Sequence, residues 1–127
     1  MDQPAAPTPT PAPAAVPAVT QAGIDDFKKL EFRTGVIVKA ETHPNADRLL
    51  VLQVDIGGGQ TRQVVAGIRG AYEPEAVVGK SVVVVANLKP ATLRGVESQG
   101  MVLAASDGTQ FSLVILDRPV PPGSQVK

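Results

Sequence analysis

Residues 74–106, PEAVVGKSVVVVANLKPATLRGVESQGMVLAAS, carry the pattern that decides the fold. Pro74 and Glu75 open a helical turn, and Gly79 supplies the left-handed residue that ends it. Val82–Val85 follow as an unbroken β-branched run, which reads as a strand buried on both faces. After a long polar loop, MVLAAS (101–106) starts a further strand. QFSLVIL (110–116) adds another beyond the Asp107-Gly108 turn.

Working upstream, LLVLQVDI (49–56) places Leu50, Leu52, Val54 and Ile56 on one face, and Gly57–Gly59 make a hairpin into QTRQVVAG (60–67). EFRTGVIVKAE (31–41) alternates imperfectly, with Thr34, Val36, Val38 and Ala40 on one face and a bulge or bend expected at Gly35. Before it, Ile24, Phe27 and Leu30 recur at three-residue spacing behind Gly23, with Asp25 and Asp26 in the first turn. This predicts a short helix over 24–30, expected to lid one end of the sheet. The chain is thus all-β, with five or six strands, short helices and one helical turn between the third and fourth strands. Closure into a barrel removes the edges of so small a sheet, and the order matches the five-stranded OB-fold, the oligonucleotide/oligosaccharide-binding barrel. On that fold, the stretch 87–106 holds the loop between the fourth and fifth strands, one of two loops bordering the ligand face.

Residues 1–23 are mostly Pro, Ala and Thr, a composition that favours extended polyproline-II segments and builds no core. They read as a disordered linker, with the domain occupying 24–127. A signal peptide needs a basic start and a proline-free apolar stretch, which this segment lacks, and no run reaches membrane-spanning length; a cytoplasmic protein is expected. The 127 residues suffice for one domain, burying roughly 60–70% of the unfolded chain's surface. With 12 basic and 12 acidic residues the formal net charge is zero, so a nucleic-acid partner has to be held by a local patch. The absence of cysteine excludes disulfides, thiolate metal sites and a cysteine nucleophile. One histidine, His43, is far from a zinc set and leaves little scope for acid–base catalysis, so neither metal, cofactor nor enzymatic activity is expected.

The segments DFKKLEFRTGVIVKAETHPNADRLLVLQVDIG (26–57), RQVVAGIRGAYEPEAVVGKSVVVVANLKP (62–90) and LRGVESQGMVLAAS (93–106) together resemble the tRNA-binding domain at the C-terminus of bacterial methionyl-tRNA synthetase. That domain also occurs as a stand-alone tRNA-binding protein and in synthetase-associated factors. The resemblance spans 24–127. It implies a homodimeric OB-type barrel that recognises tRNA by shape rather than base sequence, and that serves a methionyl-tRNA synthetase body, joined or in trans, without doing chemistry itself.

The resemblance maps the family's binding motif onto Ser98, Gln99, Gly100 and Met101, together with Asn87, Lys89 and Arg94. Their chemistry agrees: Lys89 and Arg94 suit phosphates, Asn87, Ser98 and Gln99 offer neutral donors and acceptors, and Met101 suits a base or sugar. Read without the resemblance, Asn87 and Pro90 equally shape a turn, Lys89 is equally a solvated charge and Met101 equally core. Around the loop HPNADRL (43–49), Lys39, His43, Asn45 and Arg48 are further candidates for RNA contact, though Asn45 or Asp47 equally serve as local caps. The resemblance further places a dimer interface on helix-side and C-terminal surfaces, where Ile24, Phe27, Val114 and Val120 offer apolar groups. Export-related chaperones share this barrel and bind unfolded peptide, but their fourth-to-fifth-strand loop lacks the LRGVESQGM pattern of 93–101. A peptide-binding chaperone is therefore the alternative reading.

Overall fold

The computed structural model describes residues 20–127. Most of the linker expected over 1–23 lies outside the described residues. Two helices, α1 (Ile24–Lys28) and α2 (Pro74–Val77), accompany ten strands: β1 Phe32–Thr42, β2 Leu50–Asp55, β3 Thr61–Ala66, β4 Ser81–Val85, β5 Ala91–Leu93, β6 Val96–Ser98, β7 Met101–Val102, β8 Ala104–Ser106, β9 Phe111–Leu113 and β10 Gln125–Val126. Five of them pair antiparallel in the order β3-β2-β1-β4-β7, the strand set of the expected OB barrel, and β10 adds to the start of β1. The turn between β2 and β3 uses left-handed backbone at Gly57, Gly58 and Gly59, with the Ile56 N–H bonded to the Gln60 carbonyl at 3.1 Å.

The core consists of inward aliphatic side chains from every barrel strand, among them Ile37, Leu52, Val54, Val64, Val82 and Val84, each fully buried. Val82–Val85 are all buried, as a strand covered on both faces requires. Gly35 permits a close approach within the barrel: a Cβ there would meet Val54 Cγ1 at 2.6 Å and the Asp55 carbonyl oxygen at 3.2 Å. The irregularity in β1 falls instead between Ile37 and Lys39, where the register against β2 shifts. That bulge corrects the expected face assignment. Ile37 points into the core, Val38 is about half exposed, and Thr34 is buried from the other side by the C-terminal segment, donating to the Pro121 carbonyl at 2.8 Å and accepting the Ser124 N–H at 3.0 Å.

The lid also differs from expectation. Helix α1 buries none of its residues, whereas α2 inserts a fully buried Val77 into the core. The reason is length. A helix of five residues with a single stacked pair, Phe27 on Phe32 with ring centroids 5.4 Å apart, has too little apolar face to displace α2 from the barrel end. Two further segments depart from the reading. MVLAAS breaks at Leu103 into β7 and β8, and β9 ends at Leu113, beyond which Ile115 makes only a bridge to Val82. No helix among the described residues is long and apolar enough to cross a membrane.

Candidate nucleic-acid interface

The loop after β4 is not irregular, because its centre folds into the β5–β6 hairpin. Leu93 pairs with Val96, leaving a two-residue turn of Arg94 (φ 54°) and Gly95 (φ 89°). Positive φ at both central positions is the mirror-image turn that suits the twist of hairpin strands. Arg94 is the one non-glycine among the described residues with positive φ, so the chain accepts a strained backbone to put an arginine at the hairpin tip.

The base of the hairpin closes the barrel. Ser98 is buried, and its hydroxyl accepts the Val65 N–H at 3.0 Å while donating to the Gly100 carbonyl at 3.0 Å. Beside it, Gln99 Oε1 accepts the Gln63 N–H at 3.1 Å, and the Gln99 N–H donates to the Gln63 carbonyl at 2.7 Å. Two side-chain oxygens thus occupy the places of strand carbonyls along β3, whose edge would otherwise be open between β3 and β7. Gly100 has no room for a side chain, since a Cβ would meet the Val85 carbonyl oxygen at 2.9 Å.

The 43–49 loop is braced against that hairpin. The His43 ring is buried; its Nδ1 accepts the Asn45 N–H at 2.9 Å, which makes Nε2 the protonated nitrogen that donates to the Leu93 carbonyl at 3.0 Å. Asn45 Nδ2 reaches the Arg94 carbonyl at 3.5 Å. On the other side, the 67–73 loop joins in: the Arg69 N–H donates to the Arg48 carbonyl and its guanidinium to the Asp47 carbonyl at 3.2 Å. Three loops therefore lie side by side, with four cations, Arg48, Arg69, Lys89 and Arg94, against three carboxylates, Asp47, Glu73 and Glu97.

Not all of the candidate residues fall in this group. Lys89, Arg94 and Met101 are exposed, and Met101 alternates with the buried Val102 on β7. Asn87 is spent elsewhere: its Oδ1 accepts the Glu31 N–H at 2.8 Å and its Nδ2 donates to the Lys29 carbonyl at 2.7 Å, tying the chain before β1 to the end of β4. Lys39 pairs with Glu41 at 3.1 Å on the far half of β1. His43 uses both ring nitrogens within the protein, and no group of three or more His, Asp or Glu among the described residues is placed to hold a metal. Ile24 and Phe27 line a cleft of about 500 Å³ with Leu30, Phe32 and Val126 as its apolar part and Lys28, Glu31, Gln125 and Lys127 among its polar residues; Val114 and Val120 are exposed but do not line it.

Sequence reasoning missed Arg69, Gln53 and Gln63. The two glutamines bond to each other across β2 and β3 at 3.1 Å, and Gln63 Nε2 donates to the Glu97 carbonyl at 2.7 Å, so they fasten the hairpin over the sheet. Their period-two spacing on strands with apolar inward positions was the available signal.

Comparison with known proteins places this geometry. Residues 32–125 match the tRNA binding domain family. Over 103 residues the chain is 50% identical to the methionine–tRNA ligase of Thermococcus kodakarensis, which takes in 81% of this chain and 14% of the ligase. Among solved structures, the methionyl-tRNA-synthetase-related protein of Pyrococcus horikoshii superposes with a TM-score of 0.79 at 34% identity, covering 86% of this chain and all of that one. The chaperone CsaA of Bacillus anthracis superposes at 0.78 with 28% identity, covering 85% of this chain and all of that one. The match runs from the start of β1 into β10 and takes in all three of the loops above, over only 14% of the ligase's length: the chain belongs to the tRNA-binding domain family, a non-catalytic unit.

Proposed function

We propose that the chain binds folded tRNA through the braced loops 43–49, 67–73 and 86–100, without reading base sequence, and that it does so as a homodimeric, cytoplasmic appendage or cofactor of methionyl-tRNA synthetase. The observation that carries this reading is Arg94 held in a left-handed turn at the tip of a hairpin that His43 and Asn45 brace from the facing loop. A rigid guanidinium suits phosphate, and its planar fork takes two oxygens at once. Lys89 adds a second cation and Met101 an apolar contact, while Ser98, Gln99 and Asn87 act by setting where the loop stands. The near balance of charge across the three loops argues for modest affinity carried by shape rather than by a strong field.

Dimerisation would compensate for weak single sites, because a second linked site raises apparent affinity by about 10²–10⁴. The Ile24–Phe27–Val126 cleft is the surface that favours a second copy, being the apolar group that α1 leaves uncovered. The likeness to CsaA supports a second reading, a chaperone for unfolded polypeptide. Parallel filter binding with folded tRNA, a single-stranded oligonucleotide and an unfolded polypeptide separates the two. Preference for folded tRNA is expected, and selective retention of the polypeptide would replace this reading with the second.

A further inference from the structure

The chain has three phenylalanines, one tyrosine and no tryptophan, and three of those four rings are committed. Phe27 and Phe32 stack on each other. Tyr72 packs against the core and accepts the Leu113 N–H at its hydroxyl, 3.0 Å away. Phe111 is left: it is 41% exposed at the start of β9 and lines a groove of about 330 Å³ with Val65, Ile68 and Met101. Met101, 51% exposed, lines this groove and directly follows the 86–100 loop.

The turn that presents the ring is capped. Asp107 caps the β8–β9 turn, its Oδ1 accepting the Thr109 and Gln110 N–H groups at 2.9 and 2.8 Å. Ser106 pairs with Phe111 across the hairpin and lines the groove; its hydroxyl accepts the Gly108 N–H, leaving its own proton for a ligand edge. An apolar slot with one aromatic face, a thioether and a hydroxyl at its rim fits a planar heterocycle with a polar edge.

We infer that this groove is a subsite for one unstacked nucleobase of the bound tRNA, with Phe111 as the stacking face and Met101 as the link to the phosphate-binding loop. The inference rests on the tRNA-binding reading above. Continuity favours a base over the apolar side chain of a peptide, because the groove takes in Gly67 and Ile68 of the 67–73 loop and Met101 directly after the 86–100 loop, and shares no residue with the Ile24–Phe27 cleft.

The test uses Phe111→Ala and Phe111→Trp in the full chain, each checked by thermal melt. With folded tRNA, Phe111→Ala is expected to weaken binding by between about fivefold and a hundredfold with the salt dependence unchanged, since no counterion is displaced. Because the chain has no other tryptophan, Phe111→Trp reports directly, and folded tRNA is expected to quench its emission. Unchanged affinity in Phe111→Ala, or unquenched emission under saturating tRNA, would overturn the subsite while leaving the tRNA-binding reading intact. A response to unfolded polypeptide but not to tRNA would overturn it in favour of a peptide groove. Failure of the unaltered chain to bind tRNA would remove both readings, and that curve alone tells the two failures apart.

Discussion

The Ser98 hydroxyl accepts the backbone N–H of Val65, thirty-three residues earlier, at 3.0 Å within a buried seam. A side chain thereby adds to the closure that the Gln99 N–H makes with the Gln63 carbonyl along the same edge. Ser98→Ala removes the acceptor and strands a buried donor, at a cost of about 1–3 kcal/mol. Urea melts are expected to show that loss, with faster hydrogen exchange at the Val65 amide. Unchanged stability would mean that the seam is closed by Gln99 alone.

His43→Ala is expected to loosen the loop pair rather than the barrel, because its ring bonds join Asn45 to Leu93 and contribute no strand pairing. Affinity for folded tRNA should fall while the salt dependence stays constant, since neutral imidazole displaces no counterion. A change in salt slope would show that the ring meets phosphate directly.

The β8–β9 turn gives a pH prediction. Hydrogen bonds from the Thr109 and Gln110 backbone, with the Thr109 hydroxyl, favour the Asp107 carboxylate and lower its pKa from 3.8. A carboxyl whose folded pKa is depressed contributes stability above its unfolded pKa and loses it as pH falls through the folded value. The amide shifts of Thr109 and Gln110 should therefore titrate with a midpoint below 3.8, and Asp107→Asn should abolish that titration. A midpoint at or above 3.8 would contradict the capping arrangement.

Assembly is tested at the α1 cleft. Phe27→Asp places a charge in the apolar part of the cleft without touching the core, since α1 has no buried residue. Sedimentation is expected to show a dimer for the unaltered chain and a folded monomer for the variant, its melting temperature lowered by no more than the lost association and the lost Phe27–Phe32 stack account for. A dimer that survives the substitution would move the interface elsewhere, with Val114 and Val120 the next surface to alter.

The barrel was legible because its strands obey simple periodicities: the valine run 82–85, the alternation of Leu50, Leu52 and Val54, and three glycines at a hairpin. What escaped the sequence was mostly pairing across distance. The β5–β6 hairpin hides because its turn is Arg94-Gly95 rather than Asn-Gly or Asp-Gly, so the usual signal is absent. A bulge one residue long at Val38 reversed the faces of β1, which no alternation count detects. The stretch between the valine run and MVLAAS was legible as one connection, but residue type alone could not separate an exposed Arg94 from a buried Ser98 or from an Asn87 bonded 58 residues away.

The most direct test is equilibrium binding of several folded tRNAs to the unaltered chain and to Arg94→Gly across a salt series. Glycine accepts the left-handed turn without strain, so the hairpin and barrel should keep their stability to within about 1 kcal/mol. If Arg94 meets phosphate, affinity should fall for every tRNA tested and the slope of log K against log salt should shrink by about one unit. Equal affinity and an equal slope in a folded Arg94→Gly protein would contradict the account, leaving the hairpin as a brace and not a tRNA contact.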